Sequence, residues 1–153
     1  MSFLLTLEEE KLEEILNVLP KYEQQIASAE NVLKLDGRRL EEIMRTLPHY
    51  QASYDESYNN LKALEEWIKN IKEKKEGKLW KKYNEGYSRT LSSRDIQAYI
   101  ASEKEIVELN QIIIEVCLLK NNMFSVVEAL KQVGWMLSHI TKLRIAEMQD
   151  AIL

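Results

Sequence analysis

The sequence predicts an all-α protein: N-terminal helical hairpins, then a long C-terminal helix through which copies of the chain assemble. Three observations carry this. Only two prolines and four glycines interrupt 153 residues rich in Leu, Glu, Lys and Ile. Between Ser92 and Ile145, apolar residues recur at Ile96, Tyr99, Ile100, Ile106, Val107, Ile113 and Cys117. They continue at Met123, Val126, Leu130, Val133, Leu137 and Ile140, with gaps of three and four that mark helical period. A second stripe of the same period runs through Tyr50, Tyr54, Tyr58, Leu61, Leu64, Ile68 and Ile71.

The chain opens on an internal repeat. Leu12-Glu13-Glu14-Ile15 and Leu19-Pro20-Lys21-Tyr22 return as Leu40-Glu41-Glu42-Ile43 and Leu47-Pro48-His49-Tyr50, an offset of 28 that Asn31/Asn59, Leu33/Leu61 and Lys34/Lys62 share. Each unit reads as a short amphipathic helix ended by its proline, then a second helix for which that proline is a tolerable first residue. Thr6 and Glu9 form a capping-box pair at the first start, and Asp36-Gly37 is a stop between the units. Two copies are too few for a solenoid, so the repeat embellishes a bundle. After Pro48 the second unit becomes a long helix, whose tyrosines read as packing residues with a wet hydroxyl.

Charge is unevenly divided. The net charge is -4, yet residues 1–66 carry -7, residues 67–104 carry +5 and residues 105–153 carry -2. Seven lysines and two acids, Glu73 and Glu76, lie between Lys69 and Lys82. The aromatics Trp67, Trp80, Tyr83 and Tyr87 interleave and follow them. Lysines neutralise phosphates and release counterions, while rings stack unpaired bases. The candidate nucleic-acid-binding residues are therefore Lys72, Lys74, Lys75, Lys78, Lys81, Lys82, Trp80, Tyr83 and Arg89. A solvated lysine face is the competing reading, and composition alone leaves the two in balance. The stripe continues the Ile68/Ile71 apolar face, so a break near Glu76-Gly77 is expected. Asn84-Glu85-Gly86 then supplies a turn.

The last segment starts at Ser92, with Asp95 three places on as a helix-start signal. Unbroken, about fifty residues make a rod of roughly 80 Å. Its middle, Ile112-Ile113-Ile114 with Val116 to Leu119, is apolar all round and must be enclosed by several helices from more than one chain. Candidate oligomerisation residues are Ile113, Cys117, Met123, Phe124, Leu130, Gly134, Trp135, Leu137, Ile140 and Arg144. The chain thus divides into 1–91, an N-terminal helical domain holding the repeat and a basic segment (67–89), and 92–153, the oligomerisation region.

Several function classes lack their parts. The longest apolar run falls far short of the roughly 20 residues that cross a bilayer. Met1 to Leu7 has no signal-peptide pattern, and a single cysteine fits a reducing compartment, so a soluble cytosolic protein is expected. His49 and His139 have no Cys, Asp or Glu at metal-ligand spacing, and Gly77 and Gly86 are isolated rather than part of a phosphate loop. Neither an active site, a metal nor a cofactor is expected.

In the C-terminal half the chain resembles a known family. Gly134-Trp135-Met136-Leu137-Ser138-His139-Ile140-Thr141-Lys142-Leu143-Arg144 is similar to the closing signature of the UvsY-type recombination mediators of T-even-like phages. Ile100-Ala101-Ser102-Glu103-Lys104-Glu105-Ile106-Val107 and Val127-Glu128-Ala129-Leu130-Lys131 resemble that family's segments leading into its long helix and its glycine. Lys78-Leu79 stands where the family has a basic residue and leucine. Val133 and Glu76 depart from positions usually basic there, and the first repeat, within residues 1–37, has no counterpart. The resemblance implies a non-catalytic mediator in the cytoplasm of an infected bacterium. It implies a ring, heptameric in the family, joined through C-terminal helices and bound to single-stranded DNA. Its implied partners are a RecA-like recombinase and the single-strand-binding protein whose coated strands that recombinase must enter. A structural or scaffolding helical oligomer without DNA binding, and an adaptor docking through the acidic N-terminal hairpins, are the competing classes.

Overall fold

In the computed structural model, which describes residues 2–87 and 89–146, with side chains from Lys11 onward, the chain forms four helices. They are α1 (Ser2–Leu33), α2 (Leu40–Glu85), α3 (Ser93–Ser102) and α4 (Lys104–Ile145). The expected all-α architecture holds, with no strand among the described residues.

Both repeat prolines lie inside helices, Pro20 in α1 and Pro48 in α2, so neither ends a short helix as the repeat predicted. Each repeat therefore lies along one long helix rather than forming a hairpin. Proline removes the amide that would bond the carbonyl four residues back. Pro20 and Pro48 are both exposed, and residues four apart share a helix face, so the carbonyls of Leu16 and Met44 are left on a side that water can reach. The opposite sides are held by burial of Leu19, Ala29, Ile43 and Tyr54. Likewise α1 already runs from Ser2, which places Thr6 within the helix and not at its cap. The expected stop at Asp36-Gly37 is present: Gly37 takes φ 75°, a left-handed conformation that side chains disfavour.

The helices contribute to two compact units. One joins the segment ending at Leu19 to Asn60–Leu119, the other joins Pro20–Asn59 to the segment from Lys120 onward. Each takes residues from both sides of the 91/92 division drawn from sequence.

In the second unit, Ile43, Val133 and Leu137 are buried, with Leu33, Leu35, Leu40 and Leu47 packed around them. A polar seam joins α1 and α2. Gln25 Nε2 donates to Ser53 Oγ (3.4 Å), Ser57 Oγ to Gln25 Oε1 (2.7 Å) and Tyr54 Oη to the Gln25 carbonyl (2.9 Å). Burying Ser57 and Tyr54 is tolerable because their hydroxyls find these partners. Gly134 faces α2, where an added methyl would meet Leu47 Cδ2 at 3.4 Å. Gly134→Ala is expected to be tolerated or to stabilise by up to about 1 kcal/mol, from helix propensity. Gly134→Leu overfills the contact and is expected to cost about 1–3 kcal/mol. Paired thermal melts check both, and a leucine variant as stable as wild type would refute the assignment of Gly134 to this packing.

In the first unit, Leu61, Ile68 and Ile71 of α2 are buried, as are Leu109 and Val116 of α4. Buried Glu65 is bonded by Lys69 Nζ at 2.8 Å, and this bond, chiefly, raises the lysine's pKa. The break expected at Glu76-Gly77 is absent: α2 runs on to Glu85. An isolated glycine costs only about 1 kcal/mol in a helix. Here the Lys72–Glu76 ion pair (3.6 Å) reaches to the glycine's neighbour, and Leu79, Trp80 and Tyr83 anchor the next turns on Ile96, Ile100 and Ile106. Gly86 ends the helix. Its amide bonds the Lys82 carbonyl at 2.9 Å, and a methyl there would stand 2.5 Å from that same oxygen.

The C-terminal rod is not one piece. Helix α3 starts as predicted, with Ser92 Oγ accepting from the Asp95 amide (3.2 Å), but Glu103 is extended (φ -63°, ψ 133°) and separates α3 from α4. On one straight helix Ile106 would point about 80° away from Ile96 and 120° from Ile100. The break lets all three converge in one cluster. Beyond it α4 is continuous through Asn121-Asn122 and Gly134.

Candidate nucleic-acid interface

Continuity of α2 settles how its lysines are presented. At 100° per residue, Lys74, Lys78, Lys81 and Lys82 fall within an arc of about 100° and span roughly 12 Å of axis. All four are exposed, as is Arg89 in the loop beyond. Glu85 marks the C-terminal limit of this face. Lys72 lies off this arc, and Lys75 borders it, about 20° beyond Lys82. Lys72 pairs with Glu76, and the largely buried Lys75 sends its ammonium to Glu105 of α4 at 3.0 Å. Lysine stems are long enough to cover apolar surface while their heads reach out, so no kink is needed where the lysines follow the Ile68/Ile71 stripe. Lys74, Lys78, Lys81, Lys82 and Arg89 are thus exposed, and Lys72 and Lys75 pair with acids of this chain.

The aromatics also separate. Trp80 and Tyr83 pack on the Ile96/Ile100/Ile106 cluster, which makes Trp80 part of the core edge. Tyr83 forms near-parallel ring pairs with Tyr87 (5.8 Å, 23°) and with Tyr99 of α3 (5.6 Å, 19°). Lys82 Nζ lies 5.7 Å from the Tyr83 ring centre, within cation–π reach. In the sequence Tyr99 is only one apolar beat of a helix. Its signal as a site residue is the contact across 16 residues with Tyr83, which helical spacing does not encode.

Tyr83 donates its hydroxyl to Glu103, the residue at the α3–α4 break. That bond is the main reason its phenol is pushed up to about 12 from 10.0, with burial adding to it. The neutral phenol is the bonded form, so the bond stabilises the fold fully below pH 10 and is lost as pH rises through about 12. In an ultraviolet titration of the seven tyrosines, one is expected to ionise near 12 and to vanish in Tyr83→Phe. If the ionisation that Tyr83→Phe removes lies near pH 10 instead, the bond does not form.

The predicted assembly residues divide as well. Leu109, Val116, Met123, Leu130 and Leu137 follow a seven-residue period and are all buried within the chain. Met123, Leu130 and Leu137 therefore pack inside one copy. Ile113, Cys117, Gly134 and Ile140 are half-buried, while Phe124, Trp135 and Arg144 are exposed. Ile114 (67%) and Leu118 (60%), part of the apolar middle but not of the candidate set, are the most exposed apolar residues of α4's first half.

Among the described residues no group of three or more His, Cys, Asp or Glu is placed to hold a metal ion. His139 instead packs edge-on against Trp135 at 4.1 Å. No described helix is long and apolar enough to cross a membrane.

No family model matches the sequence, and no curated relative matches it either. The backbone does find a counterpart. The crystal structure of the bacteriophage T4 recombination mediator protein UvsY superposes with a TM-score of 0.69, covering 82% of this chain and 98% of that one. The chain has the UvsY fold. Identity to UvsY is 13%, so what the two share is the course of the backbone.

Proposed function

We propose that this protein is a non-enzymatic recombination mediator that binds single-stranded DNA as an oligomer. In this reading it promotes loading of a RecA-like recombinase onto strands coated by single-strand-binding protein. The observation that carries the reading is the exposed face of Lys74, Lys78, Lys81 and Lys82 on a UvsY fold. Four cations per subunit bind a polyanion weakly. Joined copies bind one strand with high effective concentration, and weak patches then add to a strong one. The assembly is a ring, a heptamer on the family pattern. Its contacts come from exposed apolar residues of α4, including Phe124 and Trp135.

The test measures solution mass with and without a single-stranded oligonucleotide, together with affinity across a salt series. Mediator function predicts an oligomer whose logarithmic affinity falls linearly with the logarithm of salt. A monomer indifferent to DNA at low ionic strength would overturn it. An oligomer indifferent to DNA would instead favour a structural helical assembly, which the exposed apolar residues of α4 also fit.

A further inference from the structure

A lysine face alone attracts paired and unpaired strands alike, because phosphates carry no information about pairing. A residue that distinguishes them must address what only a single strand offers, the open face of a base. The described residues provide such a group beside the lysines. Tyr83, Tyr87 and Tyr99 form near-parallel ring pairs, with Tyr83 common to both. Tyr83 itself is committed: its ring packs on the Ile96 cluster, and its hydroxyl is donated to Glu103. The outer members are not. Tyr87 is 54% exposed and Tyr99 47%. The cationic edge of the group is also defined, with Lys82 over the Tyr83 ring and Arg89 two residues after Tyr87.

We propose that Tyr87 and Tyr99 are the base-stacking residues through which this surface selects unpaired over paired DNA. The proposal rests on the single-strand-binding reading above and adds the origin of its selectivity. Tyr83 acts as a positioning residue. Held by Glu103 and the apolar cluster, it backs both exposed rings, so each meets a base already oriented. Stacking is tolerant of base identity, and a general single-strand binder requires that tolerance.

The test uses the full-length protein and three probes of equal length: a single strand, the same strand made abasic, and a duplex. Wild type is expected to bind the normal strand more tightly than the abasic one. Removing the rings with Tyr87→Ala and Tyr99→Ala is expected to weaken binding to the normal strand about ten-fold per ring. Abasic and duplex affinities, and the salt slope, stay where they were. The Tyr→Phe variants keep the stacking face and retain wild-type preference, which separates stacking from any loss of structure. Equal wild-type affinity for normal and abasic strands would overturn the proposal while leaving DNA binding in place. So would an alanine variant that weakens all three probes alike. Absence of binding to every probe would remove the underlying reading, and the proposal with it.

Discussion

Reversing Lys78, Lys81 and Lys82 to glutamate is expected to reduce single-strand affinity by at least about a hundredfold at moderate salt and to leave assembly unchanged. All three side chains are exposed on the outward arc of α2, and no ion pair ties them to another described residue. Their removal therefore strips no partner of its charge, and stability should move by less than about 0.5 kcal/mol. Each phosphate contact on a single strand contributes about -0.7 to the slope of log affinity against log salt, so the slope should flatten by about 2 per engaged subunit. Reversal adds repulsion to the lost attraction, and for that reason the effect exceeds that of neutralisation. Anisotropy titrations over a salt series measure both quantities. The control is Lys75→Glu, which should do far less to DNA binding, because Lys75 is already engaged with Glu105. Its cost falls on the fold, where two carboxylates would then face each other. Unchanged affinity in the triple variant, or an equal loss in the control, would dissociate the outward face from DNA.

The difference between Lys78 and Lys75 marks the limit of what the sequence discloses. Helical class, the Ser92 start and the Asp36-Gly37 stop follow from local rules, and the structure has all three. Lysine density is local as well. Which lysine is turned inward depends on Glu105, distant in sequence and brought near only when α4 packs beside α2. The same holds for Glu103. No proline or glycine marks the α3–α4 break; it sits where Tyr83 takes the carboxylate and where Ser102 Oγ bonds the Tyr99 carbonyl at 2.8 Å. Tertiary contacts there override helix propensity. Pro20 and Pro48 fail in the opposite sense. Their local rule says stop, but the burial of Leu19, Ile43 and Tyr54 keeps the helices running past them. Periodicity alone also cannot tell a seam between helices of one chain from a seam between chains. Met123, Leu130 and Leu137 obey the rule for either, and they pack within a single copy.

That distinction makes the second large effect specific. Replacing Ile114 and Leu118 with glutamate is expected to bring the solution mass down towards the 18.0 kDa monomer, whereas Leu130→Ala acts on the fold. Ile114 and Leu118 are four residues apart, on one side of α4, and are exposed at 67% and 60%. A large aliphatic residue left in water loses about 1.5–3 kcal/mol of available burial, so two adjacent ones favour a contact that covers them. Charges placed there oppose that contact, and since neither position is buried in the monomer the variant should melt normally. Leu130 is fully buried, and its truncation should cost about 2–5 kcal/mol in every assembly state. Trp135→Glu tests the other exposed end of the helix by the same measurement. If copies join through α4, the dissociated variants should also lose DNA affinity by about 10²-fold or more, although every lysine is intact, because avidity disappears with the neighbours. Light scattering paired with anisotropy reads mass and affinity on the same samples. A full-mass Ile114→Glu/Leu118→Glu protein would show that these residues do not join the subunits. A monomer that still bound DNA at wild-type strength would show that the outward lysines of a single copy suffice.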